Sequence, residues 1–111
     1  MPSFELPEQP VKLTVSLVRK IAEECRATPP TRRRDIRDAE QPGLTLRVYP
    51  SGALSWAARY NVKGDKVPKD PTLGPADAST LTAKAIEELR QRVAEIRRTA
   101  AQGRDLLSEE R

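Results

Sequence analysis

The chain has 111 residues, a formal charge of +4, 37% hydrophobic and only 4% aromatic content; that suffices for one domain with a modest core and not for two. With no histidine and one cysteine, zinc clusters and Cys–His or Ser–His–Asp catalysis are excluded by residue count. No apolar run reaches membrane-spanning length, the first residues lack a signal peptide's pattern, and the lone Cys25 in an apolar helical pattern fits a reducing cytosol.

The charge is unevenly spread. Residues 31–69 hold nine lysines and arginines against four acids, whereas residues 1–30 hold four of each and residues 70–111 seven basic against eight acidic. A basic surplus confined to one central segment suits an acidic partner, nucleic acid being the commonest, or else charge that only keeps a thin-cored domain soluble. The ten prolines cluster at 2–10, 29–30, 42–50 and 68–75 and mark junctions.

In chain order, residues 1–12 read as an irregular lead. Thr14 is a good N-cap, with Leu13 and Val18 at the two positions of a hydrophobic staple. Leu17, Val18, Ile21 and Cys25 then recur at helical spacing, which predicts a helix over 15–26, closed before Pro29–Pro30. Arg33 to Asp38 alternate in a manner that suits an edge strand, and Gln41-Pro42-Gly43 reads as a turn.

The clearest pattern follows. Leu44, Leu46 and Val48 alternate with Thr45, Arg47 and Tyr49; after a Pro50-Ser51-Gly52 turn, Trp56, Ala58, Tyr60 and Val62 alternate with Ser55, Ala57, Arg59, Asn61 and Lys63. Strict period-two alternation about a turn predicts an antiparallel hairpin with one greasy and one polar, basic face. Pro68 and Pro71 restrict the segment KVPKDPTLG to a sheet edge.

A long helix is predicted from an N-cap at Ser79 or Thr80. Leu81, Ala85, Leu89, Val93, Ile96 and Ala100 form its stripe, Glu88 faces Arg92, and Gly103 follows as the C′ residue. The expected fold is α+β: a small three- to four-stranded antiparallel sheet with a short N-terminal and a long C-terminal helix on one face. The domain is expected over 13–103, with 104–111 starting a linker. Gly43, Gly52, Gly64 and Gly74 are spaced as turns rather than as a phosphate cradle. No cofactor, metal, small-molecule substrate or membrane is expected.

The exposed sheet face is the candidate site. A two-stranded ribbon fits the major groove of B-DNA, where Arg47 and Arg59 can pair with guanine edges and Asn61 with adenine. Thr45, Tyr49, Ser55 and Lys63 can reach phosphates and fix register, with Lys66, Arg33 and Arg37 beside them. Two alternatives stay open: a face that is polar only because it is solvated, and a basic hairpin that docks an acidic protein.

The ordered set Leu13-Thr14, Asp38, Pro42-Gly43-Leu44, Leu46-Arg47-Val48, Pro50-Ser51-Gly52, Ser55-Trp56, Arg59-Tyr60, Gly64 and Leu73-Gly74 before a long helix resembles the N-terminal arm-type DNA-binding domain of phage and genomic-island tyrosine recombinases (integrases). It covers about residues 12–103. The resemblance implies a DNA-binding module that is not itself an enzyme, whose free sheet face enters the major groove of arm-type sites. It further implies core-binding and catalytic domains downstream in the same protein, and a bacterial cytoplasmic setting. Two features depart from the family pattern: KVPKDPTLG is longer and proline-broken, and Ala83-Lys84-Ala85 stands where an Ala-Arg pair is usual.

Overall fold

The computed structural model describes residues 6–110; residues 1–5 of the expected irregular lead lie outside them. Helix α1 spans Val15–Ala27, as its cap dictates: the Thr14 side chain accepts the Leu17 N–H, while Leu13 and Val18 are both buried beside it. It ends one residue before Thr28-Pro29, where the proline forbids another helical turn.

Four strands follow: β1 (Arg34–Arg37), β2 (Leu44–Val48), β3 (Leu54–Ala58) and β4 (Thr72–Pro75), antiparallel in the order β1-β2-β3-β4. The register aligns Ile36, Leu46 and Trp56 on the inner face, and Asp35, Arg47 and Ser55 on the outer. The predicted edge strand from Arg33 and the weak last strand both exist, at the two sheet edges. Strand β3 is shorter than its alternation suggests. Its pairing with β2 stops at Ala58, its pairing with β4 shifts register at Trp56/Ala57, and beyond it Tyr60 meets Lys69 as an isolated bridge. The burial alternation nevertheless continues, since Tyr60 and Val62 are buried while Arg59, Asn61 and Lys63 are exposed.

Helix α2 (Ala83–Ala101) starts three residues later than Ser79 would place it. The Asp77 carboxylate captures both the backbone N–H and the hydroxyl of Ser79, and so spends the expected cap in a turn. Thr82 caps instead, accepting the Ala85 N–H, with buried Leu81 and Ile86 as its staple. Both helices thus begin with the same Leu-Thr device. Val18, Ile21 and Cys25 of α1 and Ile86, Val93, Ile96 and Ala100 of α2 share one core with the inner sheet face. Burial raises the Cys25 thiol pKa, helped by Glu24, so this thiol is inert.

The segment expected to start a linker folds back. Helix α3 (Leu106–Glu109) is capped by Asp105, whose carboxylate also accepts from the Tyr60 hydroxyl at 2.8 Å and Lys69 Nζ at 2.6 Å. The Lys69 ammonium foremost holds the Asp105 pKa below the usual carboxylate range. Arg92, expected to face Glu88, instead takes both carboxylate oxygens of Glu110.

The β1–β2 turn depends on Gly43. Its φ is +92°, and a Cβ there would sit 2.7 Å from the Arg59 carbonyl oxygen and 2.9 Å from Arg97 Cδ. Gly52 shares the left-handed conformation at +88°, but a Cβ would meet nothing closer than 3.6 Å. Gly52→Ala is therefore expected to cost only the left-handed strain, about 1 kcal/mol, and Gly43→Ala about 2 kcal/mol or more. Urea midpoints at unchanged slope test this, and equal losses for the two variants would contradict it.

Candidate nucleic-acid interface

The outer sheet face presents two rows. Asp35, Arg47, Ser55 and Pro75 lie in register across the four strands, and Arg37, Thr45, Ala57 and Thr72 lie across the next. Arg33 and Tyr49 extend the face beyond the first row, and Arg59, Asn61 and Lys63 extend it beyond the second. From Arg33 to Arg37 the extended chain covers roughly 14 Å at about 3.4 Å per residue. Both long helices pack on the opposite face.

The expected contact residues divide by accessibility. Arg33, Arg37, Arg59, Asn61, Lys63 and Lys66 are exposed, Tyr49 and Ser55 are half-buried, and Thr45 and Arg47 are buried at 4% exposure each. Arg47, which sequence places foremost among base readers, is already engaged. Its Nη2 lies 2.8 Å from the Asp70 carboxylate and its Nε 3.3 Å from Asp35, and both terminal nitrogens approach the Asp70 carbonyl. Burial opposes the charge, yet Asp70 and Asp35 outweigh it and raise the guanidinium pKa above its ordinary value. To touch a base edge, Arg47 would have to give up two carboxylates at contact distance.

Arg59 is the opposite case. It is exposed, and among the described residues its guanidinium has no hydrogen-bond or ion-pair partner. Its backbone N–H donates to the Gly43 carbonyl at 2.8 Å, which fixes it over the β1–β2 turn. Arg37, Thr45, Arg59 and Asn61 line a common open cavity of about 590 Å³ at this end of the sheet, together with Arg97 of α2. Lys63 and Lys66 stand on the β3–β4 connection, whose tip carries Val67, the one large hydrophobic residue among those described that is strongly exposed, at 72%. The base of this loop is held by the Tyr60–Lys69 bridge and by Asp105.

Sequence reading missed two participants and one pairing. Asp70 sits in the proline-broken segment, with no pattern to align it with Arg47. Arg97 looks like any solvated helical arginine until the turn is placed beneath it. Asp38 and Arg90 lie 52 positions apart and form the most buried ion pair among the described residues. Among the described residues no group of His, Cys, Asp and Glu is arranged to hold a metal ion, and no helix is long and apolar enough to cross a membrane.

The chain matches the Arm DNA-binding domain family over residues 13–111 and belongs to it. It is thus an arm-type DNA-binding domain, a non-catalytic module of integrase-like proteins whose partner is double-stranded DNA. The match runs through 104–110, in keeping with the folded-back α3. No curated protein and no solved structure matches the chain.

Proposed function

We propose that this domain recognises arm-type sites sequence-specifically on behalf of a site-specific tyrosine recombinase, with core-binding and catalytic domains downstream in the same protein. In this reading the outer sheet face enters the major groove. The observation that supports it most is the unpartnered, exposed Arg59 guanidinium beside the exposed Asn61 amide, on an extended segment that leads out of β3. Arg pairs with guanine O6 and N7, and Asn with adenine N6 and N7.

Around these two base readers, Arg33, Arg37, Lys63 and Lys66 neutralise phosphates, and Tyr49 and Ser55 donate hydroxyl hydrogen bonds at the hairpin end. Thr45 and Arg47 act from beneath: they are buried under the contact surface and hold its strands and the Asp70 loop in place.

Four phosphate contacts imply a log–log salt slope near −3.6, or roughly a 150-fold loss of affinity between 50 and 200 mM salt. Arg59→Ala is expected to cost about 1–3 kcal/mol on attachment-arm duplex and much less on random duplex, so that specificity relaxes. Mobility shift across a salt series reads both. Equal losses on the two duplexes would remove Arg59 as a base reader, and no shift of either at low salt would favour docking on an acidic protein instead.

A further inference from the structure

The cavity at the end of the sheet has a composition that the sheet-face reading does not require. Three arginines from three different elements converge on it: Arg37 from β1, Arg59 from the segment after β3, and Arg97 from α2. Asn61 adds an amide. The one carboxylate in its lining, Asp38, is fully buried and bonded to Arg90, Leu13 and Gln41, so it faces away from an incoming anion. The cavity therefore offers three positive charges with no competing accessible acid.

Arg97 is held ready for such a ligand. It belongs to the helix layer, on the far side of the sheet from the proposed base readers, and it reaches this end because the β1–β2 turn lets it pass. Its Nη1 donates to the Pro42 carbonyl at 2.9 Å, which pins one edge of the guanidinium and leaves the other to the cavity. The absent Cβ of Gly43 makes the room, since that atom would stand 2.9 Å from Arg97 Cδ. A pinned, planar guanidinium is suited to bidentate contact with phosphate oxygens.

We infer that this cavity seats one backbone phosphate of the bound duplex, gripped by Arg97 from the helix side, while Arg37 and Arg59 on the sheet side supply its positive wall and keep their own contacts. The inference rests on the DNA-binding reading and adds to it a contact outside the sheet. The domain would then grip the groove edge with its helix layer while the strands read the bases. The clamp carries no sequence information, because a phosphate has none.

The test is a salt series on arm-site and random duplexes with Arg97→Ala and Arg97→Lys, with thermal unfolding of each variant alongside. Removing one phosphate contact should make the log–log slope less negative by about 0.9, and at 0.1 M salt weaken both duplexes by the same factor of roughly eight. Arg97→Lys keeps the charge and should retain the slope. An unchanged slope for Arg97→Ala, whether or not its Tm falls, overturns the clamp. If Arg59→Ala still relaxes specificity in that case, the sheet-face reading stands without it. A further arm titrates inorganic phosphate into the free protein: saturation lost in Arg97→Ala, with an unchanged DNA slope, would assign the cavity to a free anion and overturn the duplex contact.

Discussion

Arg90→Ala is expected to destabilise the domain by about 3–5 kcal/mol, the cost of stripping one partner from a buried ion pair. The Asp38 side chain is fully buried. Its Oδ1 accepts from the Leu13 N–H at 3.0 Å and its Oδ2 from the Gln41 N–H at 3.1 Å, while Arg90 Nε approaches Oδ2 at 2.8 Å. Arg90 Nη2 continues to the Leu13 carbonyl at 2.7 Å. One carboxylate thus joins the entry to α1, the end of β1, the turn before β2 and the middle of α2. Without Arg90, a negative charge remains in the core with only two amide donors. Domains of this size hold roughly 5–15 kcal/mol in all, so Tm should fall on the order of 15 °C.

The same carboxylate sets an acid limit. Burial alone would raise the Asp38 pKa; the Arg90 hydrogen bonds and charge, with the Leu13 amide, override it and leave the group below its ordinary value. A depressed folded-state pKa contributes stability above the unfolded value near 3.9, and the contribution fades as pH falls through the folded value. Parent protein should therefore lose stability in acid below about pH 4, and Asp38→Asn should be destabilised at pH 7 with a flatter acid limb. Asp105 shifts in the same direction, so the limb should flatten without vanishing. Denaturation series from pH 2 to 7 measure both. An Arg90→Ala loss under 1 kcal/mol, or an unaltered acid limb in Asp38→Asn, would count against the pair as the central tie.

What could be read from the residues in advance follows from range. The α1 cap, the hairpin faces around Trp56 and the positive φ at Gly43 are decided within five or six residues, and each was legible. Asp38 was legible as a residue on the Ile36 face but not as a buried anion, because its partner lies on an element 52 residues away. The α2 start was misplaced by a local competition: Ser79 and Thr82 are both competent caps, and the Asp77 turn decided between them. Alternation located Arg47 on the outer face correctly, but alternation assigns faces and says nothing of what else lies on them. Asp35 is its cross-strand neighbour once the register is known, whereas Asp70 arrives from a segment with no period at all.

That difference makes Arg47 the most discriminating position on the face. If it supports the surface from beneath, Arg47→Met should lower stability by about 3 kcal/mol, the lower end for a broken buried pair, because Asp35 and Asp70 are 33% and 27% exposed and water can partly solvate them. Two carboxylates freed on the contact surface would then repel the duplex. Affinity should fall on arm-site and random DNA alike, with the specificity ratio preserved. Adding Asp35→Asn and Asp70→Asn removes that repulsion, so the triple variant should regain most of the binding although the arginine is gone. A base-reading Arg47 predicts the reverse: the ratio drops by about 1–3 kcal/mol and neutralising the carboxylates does not restore it. Mobility shift at a temperature where every variant is folded separates the two, and recovery in the triple variant is the outcome that the 2.8 Å pair with Asp70 leads us to expect.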